Sequence, residues 1–166
     1  SASCGIRSPF AVGEWKGDGA PVIAIHGISS NHRLFGWTAA HLPDTRLIAP
    51  DLRGFGESEA SLGTATMNRM AQDVALLLNH LGITRATIAG LSMGGYVALA
   101  FYKQLPSRVR ALVLADTRAQ ADTEEAKQTR AQQAEKALSE GMAGIADAML
   151  PKLLTPETVS KRPEIV

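Results

Sequence analysis

ATIAGLSMGG, residues 86–95, runs from a short apolar segment directly into a serine flanked by glycines. Gly90, Ser92 and Gly94 form the pattern GxSxG, in which a strand turns sharply into a helix and leaves the serine on a strained backbone. Glycine is required at positions 90 and 94 because side chains there would collide with the neighbouring chain. The motif predicts a strand over residues 86–89, a helix over residues 94–105, and Ser92 as a candidate nucleophile.

Short apolar runs alternate with helical patterns on both sides of this motif. Residues 22–25, 46–49 and 109–115 read as strands, and residues 10–15 read as an edge strand. Continuous apolar runs are typical of parallel strands that are buried on both faces. The alternation predicts an α/β fold with a mostly parallel sheet and flanking helices.

Two helical patterns precede the GxSxG motif. One covers residues 34–42 and ends before Pro43. The more regular one begins at Thr66 and ends at Gly82, a residue typical of a helix C-cap. Its apolar residues recur at helical spacing: Met67, Met70, Ala71, Val74, Leu77, Leu78 and Leu81. This spacing predicts an amphipathic helix packed on the sheet.

The composition of the chain changes after Asp116. Asp122, followed by Glu125, is typical of a capping box that opens a polar helix ending near Glu140. Shorter helices are predicted over residues 142–150 and after Thr155, and residues 163–166 resemble the start of another helical turn. We therefore expect an N-terminal portion of a sheet-containing core over residues 1–116 and a helical lid or cap segment over residues 117–166.

Composition limits the classes of partner. The chain has 166 residues, 45% hydrophobic content and a net charge of +1 with interspersed signs, which gives no electrostatic case for binding nucleic acid or an anionic membrane. Cys4 is the single cysteine, and no apolar run approaches the roughly 18 residues of a membrane span. A cytoplasmic setting is expected. Neither a phosphate-binding glycine loop nor a metal-ligand spacing is present, so we expect no cofactor and no metal.

Three motifs in order carry a resemblance to a known family. His26-Gly27-Ile28 follows one predicted strand, DLRGFGES (residues 51–58) follows the next, and GLSMGG (residues 90–95) follows the third. This order resembles α/β-hydrolases, and is most similar to the lidded esterase and lactonase branch that includes 3-oxoadipate enol-lactonases. The resemblance implies a serine hydrolase that cleaves a carboxylic ester or lactone through an acyl-enzyme on Ser92.

The resemblance also implies the roles of neighbouring residues. The backbone amides of Met93 and Ile28 would bind the oxyanion that acyl transfer creates, with Gly27 permitting a close approach. His26 would brace this loop through hydrogen bonds rather than act as the base. Asp51, Arg53 and Ser58 are interpreted as a structural turn whose side chains bind loop amides and carbonyls.

The base that would activate Ser92 is not evident. All four histidines precede Ser92, whereas the family's base follows the nucleophile. Asp116 is a candidate for the acid that orients such a base. Two hypotheses stay open: an active esterase or lactonase, or a catalytically incomplete fragment or subunit. The second expects a truncated chain, and a dimer or a complex with a complementary C-terminal chain.

Overall fold

The computed structural model describes residues 11–162 and residue 164. The described residues therefore do not include Cys4, the start of the edge strand at Phe10 and most of the helical turn predicted over residues 163–166. The chain divides into two compact units, residues 1–119 and residues 120–166. No helix among the described residues has the length and the apolar content needed to cross a bilayer.

The first unit is built on a five-stranded sheet with the order β1-β3-β2-β4-β5. The strands are β1 (Val12–Trp15), β2 (Val22–Ile25), β3 (Leu47–Pro50), β4 (Ala86–Leu91) and β5 (Val109–Ala115). β1 is antiparallel to β3, and the other pairings are parallel. The predicted mostly parallel α/β sheet is therefore confirmed: β2 and β5 have the predicted ends, and the ends of β1, β3 and β4 differ from the predicted ones by at most two residues.

Parallel pairing brings the carboxyl ends of four strands to one edge of the sheet. The chain leaves this edge at His26, Asp51, Ser92 and Asp116, one residue after β2, β3, β4 and β5 respectively. Polar residues that follow parallel strands are thereby gathered at a common edge, which is where ligands bind in open α/β sheets.

Helices cover the sheet as the apolar spacing predicts. The first unit contains α1 (Gly36–Ala40), α2 (Met67–His80) and α3 (Met93–Gln104). α2 begins at its N-cap Thr66, whose hydroxyl accepts the Arg69 N–H, and it ends before Gly82, which has φ +66°. Its apolar face joins a buried core with β2, β4 and α3, in which Ile23, Ile88 and Phe101 have no exposed surface.

The helix predicted over residues 34–42 forms in two parts. A 3₁₀ turn covers His32–Phe35 and α1 follows directly. The turn begins earlier than predicted because the Asn31 side chain accepts the Arg33 N–H at 2.9 Å and thus caps it.

The second unit contains α4 (Glu124–Glu140), α5 (Ala143–Leu153) and α6 (Pro156–Lys161). The predicted cap of α4 is wrong by one residue: Thr123 is the N-cap and accepts the Ala126 N–H, whereas the Asp122 carboxylate accepts a hydrogen bond from Arg130. Thr155 caps α6 as predicted. None of the side chains of α4 is buried, and its one large apolar side chain, Leu138, is 90% exposed.

Candidate active site

Ser92 lies on a strained turn between β4 and α3. Its φ of +52° and ψ of −115° are values that residues with a side chain rarely adopt. Neighbouring β5 fixes this conformation: the Ser92 N–H donates to the Ala115 carbonyl at 3.0 Å, and the Thr117 hydroxyl donates to the Ser92 carbonyl at 2.8 Å. The strained backbone is therefore determined by tertiary contacts and not by the local sequence alone.

The flanking glycines are required by space. A Cβ at Gly90 would lie 2.6 Å from the Gly95 nitrogen, and one at Gly94 would lie 2.7 Å from the Ile25 carbonyl carbon. A Cβ at Gly95 would overlap the Thr117 side chain. The turn can pack between β2 and β5 only because these positions carry no side chain.

Gly27 brings the loop after β2 against the serine. A Cβ at Gly27 would lie 3.3 Å from the Ser92 Cβ and 3.9 Å from its Oγ, so the two residues are immediate neighbours. Ile28, the next residue, is 52% exposed, and Met93 is the first residue of α3. The N-terminus of α3 directs its free backbone N–H groups and positive dipole end toward this point.

His26 is fully buried and both of its ring nitrogens are engaged. Nδ1 donates to the Gly27 carbonyl at 2.8 Å, and Nε2 accepts the Leu52 N–H at 3.0 Å, which fixes the tautomer. Burial is the main reason that the pKa of His26 lies below its ordinary value, and the Gly27 hydrogen bond and the Asp51 charge oppose it. A neutral ring with both nitrogens in hydrogen bonds is suited to bracing the loop, and it has no free nitrogen to take a proton.

The remaining histidines lie near opposite ends of the strands: His32 near the carboxyl ends, and His41 and His80 near the amino ends. His32 is at the carboxyl edge, where its Nδ1 donates to Asp51 at 2.9 Å. His41 follows α1, its Nδ1 lies 2.8 Å from the Trp37 carbonyl, and the chain then enters the start of β3. His80 ends α2 shortly before the start of β4. The chain enters β3 and β4 at the end of the sheet opposite to Ser92, and the six residues of β4, at about 3.3 Å each, span about 20 Å between the two ends.

Asp116 follows β5 directly and neighbours Ser92, the candidate nucleophile. Leu91 pairs with Ala115, so Asp116 is the register neighbour of Ser92 at the sheet edge. It is exposed and has φ +45°, which Asp tolerates better than most residues. Thr117, whose hydroxyl fixes the turn between β4 and α3, was not predicted from the sequence. Its one local signal is its position just beyond β5, the strand next to β4.

The loop after β3 differs in part from its prediction. The Asp51 carboxylate accepts loop amides and Ser58 donates to the Asp51 carbonyl at 2.8 Å, as expected of a structural turn. Arg53 instead forms a bidentate pair with the carboxylate of Asp73 in α2. This carboxylate is the main reason that the pKa of Arg53 is raised, so the guanidinium stays charged.

In the part of the chain that the structure describes, the His, Cys, Asp and Glu side chains form no group of three or more that could hold a metal ion.

Comparisons with known proteins bear on this arrangement. The profile of a family described as the alpha/beta hydrolase fold matches residues 20–148. The 3-oxoadipate enol-lactonase 2 of Acinetobacter baylyi is 30% identical over 152 residues, which cover 91% of this chain and 56% of that protein.

Solved structures are similar over the same part of the chain. A thermophilic esterase from Thermogutta terrifontis is 43% identical with a TM-score of 0.87, over 94% of this chain and 58% of that one. The enol-lactonase from Burkholderia xenovorans is 31% identical with a TM-score of 0.80, over 94% and 60% respectively. The chain therefore spans little more than half the length of these relatives.

Proposed function

Because the chain belongs to the α/β-hydrolase family, we propose that it carries the nucleophile and the oxyanion hole of a serine hydrolase that cleaves a carboxylic ester or lactone. The observation that carries the proposal is the backbone of Ser92, strained at φ +52° at the N-terminus of α3 with Gly27 against its side chain. Such backbone strain costs on the order of 1–3 kcal/mol and is concentrated at functional sites, which supports a chemical role for this serine.

In the proposed reaction, Ser92 Oγ loses its proton to a base and attacks the carbonyl carbon of the substrate. The amides of Met93 and Ile28 donate to the resulting oxyanion, the C–O bond to the alcohol breaks, and the base passes its proton to the leaving alcohol oxygen, so that an acyl-enzyme remains. Water then gives one proton to the base and attacks the acyl carbon, the bond to Ser92 Oγ breaks as the acid is released, and the base returns that proton to Ser92 Oγ. Removal of one oxyanion donor typically costs about 2.7–4 kcal/mol of transition-state stabilisation. The esterase and enol-lactonase names of the relatives support a small ester or lactone as substrate.

The base is proposed to come from outside the described residues. His26 has no free ring nitrogen. Among the described residues His32 keeps Nε2 free, but its Cδ2 would lie 2.9 Å from a Cβ at Gly13 in β1, a strand that β3 and β2 separate from β4. His41 and His80 precede the amino ends of β3 and β4, at the opposite end of the sheet from Ser92. Asp116 is the candidate acid because it neighbours Ser92 in register.

A second candidate function follows from the edge of the sheet: an incomplete subunit that a partner segment completes. Among the described residues, β5 pairs only with β4. Its consecutive residues Val113 and Leu114, which point to opposite faces, are 52% and 45% exposed. An apolar parallel strand with a free edge can accept another strand. The occupant is proposed to be a complementary C-terminal segment or a second copy of the chain. The lid role of residues 117–166 and a cytoplasmic location stay predictions.

A fluorophosphonate probe tests these proposals, because an activated serine displaces its fluoride and retains the phosphonyl group. Intact mass is measured for the 166-residue chain, for Ser92→Ala, and for Ser139→Ala, which removes a surface serine of α4. One adduct that disappears only in Ser92→Ala supports an activated nucleophile. Absence of an adduct on folded protein contradicts an active chain and favours the incomplete subunit. Light scattering on the same samples then tells a monomer from a dimer.

A further inference from the structure

Two loops at the carboxyl edge of the sheet are fastened to each other around the candidate oxyanion hole. We define the oxyanion loop as residues 26–32. At its start, His26 Nε2 accepts the Leu52 N–H at 3.0 Å. At its end, one carboxylate oxygen of Asp51 accepts both the His32 backbone N–H, at 2.6 Å, and the His32 ring Nδ1–H, at 2.9 Å. Two consecutive residues after β3 therefore anchor both ends of the loop.

Asp51 is itself fixed from the opposite side. It has no exposed surface, and its second carboxylate oxygen accepts the Glu57 N–H at 2.9 Å. Its backbone N–H donates to Ala11 at 2.9 Å, and its carbonyl accepts the Ser58 hydroxyl. A Cβ at Gly56 would overlap the carboxylate, so the backbone of Gly56 packs directly against this group.

Among the described residues, the groups that hydrogen-bond to the Asp51 carboxylate are N–H donors. A buried carboxylate that accepts several N–H groups forms charge-assisted bonds, which are shorter and stronger than neutral ones. A simple turn needs no such concentration of charge, because a hydroxyl or an amide can close a turn. The arrangement is the one expected where a loop must be kept in a single position.

We propose that Asp51 and His32 are positioning residues, which fix the oxyanion loop so that Gly27 contacts Ser92 and the Ile28 amide faces the reacting carbonyl. The proposal rests on the proposed function for its catalytic consequence. Its structural content, the contact between Gly27 and Ser92, does not depend on whether the chain is active. Neither residue touches the substrate in this proposal.

The matched variants are His32→Asn and His32→Leu. An Asn side chain can offer an N–H near the position of Nδ1, whereas Leu has similar bulk and no donor. The contact is measured by NMR as the cross-peak between Gly27 Hα and Ser92 Hβ, with cross-peaks between β2 and β4 as the control for folding. We expect the Gly27 to Ser92 cross-peak to weaken several-fold in His32→Leu and to be retained in His32→Asn.

An unchanged cross-peak in His32→Leu overturns the proposal, and so does an equal loss in both variants. Fluorophosphonate labelling is measured in parallel, where we expect a rate roughly ten-fold lower in His32→Leu and close to the original in His32→Asn, since about 1.4 kcal/mol of lost oxyanion stabilisation corresponds to ten-fold. If the original chain is not labelled, the proposed activity fails while the cross-peaks still decide the positioning role. If labelling occurs but does not follow the cross-peak, the loop is positioned without a catalytic consequence and the proposal is overturned.

Discussion

Replacement of Ser92 by glycine is expected to stabilise the fold while it removes the candidate nucleophile. The backbone of Ser92, at φ +52° and ψ −115°, is in a region where a side chain costs on the order of 1–3 kcal/mol. Glycine removes that cost but loses about 0.5–1 kcal/mol more conformational entropy on folding. The difference predicts a net stabilisation of about 1 kcal/mol.

Ser92→Ala is the matched control, because it removes the hydroxyl and keeps the Cβ that causes the strain. The serine hydroxyl makes no capping bond to α3, so its loss should change stability little. The backbone bonds from Ser92 to Ala115 and from Thr117 to Ser92 are preserved in both variants. Any difference between the two variants therefore reports the strain at this residue.

Thermal unfolding followed by far-UV circular dichroism measures the difference. For a chain of this size, about 1 kcal/mol shifts the unfolding temperature by about 2–4 °C. We expect Ser92→Gly to unfold at a higher temperature than Ser92→Ala by this amount. If the glycine variant is equally or less stable, the backbone at Ser92 is not strained in solution, and the main support for the nucleophile assignment is lost.

Two further substitutions test the contacts around the site. Asp73→Ala should lower the free energy of unfolding by about 3 kcal/mol, because it leaves the Arg53 side chain, which is only 11% exposed, without its carboxylate partner. The double variant Arg53→Met with Asp73→Leu removes both charges and should cost much less. Urea titrations measure the two losses, and equal losses would contradict this reasoning. His26→Gln should flatten the dependence of stability on pH: burial lowers the pKa of His26, so the unfolded chain binds a proton first and the original protein loses stability as pH falls below about 6.5, by at most about 1.4 kcal/mol per pH unit. Urea midpoints at about pH 7 and pH 5 measure this slope, which the exposed His80→Gln control should leave unchanged.

Local patterns predicted the elements that position the site. The strand before the nucleophile, the glycines around it and the span of α2 are encoded within a few residues each. Gly82 is an example: its position after the last apolar residue predicted the helix end, and its φ of +66° confirms it. The adjacent residues Asp122 and Thr123 show the limit of such patterns. Both can cap a helix, and the choice depends on the pairing of Asp122 with Arg130.

Contacts between distant residues could not be predicted in this way. Asp73 lies within the apolar spacing of α2, and its partner Arg53 is 20 residues earlier in a different loop. Likewise, His32 and Asp51 follow different strands, and nothing near either residue indicates the other. These pairs form because parallel pairing brings separate loops to one edge of the sheet, which depends on the whole topology rather than on a local motif.

The contacts that position Ser92, the candidate nucleophile, are distinct from any contact that would activate it. The contacts that fix Ser92 come from β2, β4, β5 and the residues just after them, all within residues 22–117. None of these contacts involves a group that could take the proton of the serine. A chain in which glycine at position 92 is stabilising, but in which Ser92 resists the fluorophosphonate, would have a positioned nucleophile that lacks only its base. That combination would direct the search to the unpaired side of β5. A completing segment could pair with β5 there and bring a histidine to the carboxyl ends of the strands, where Ser92 lies.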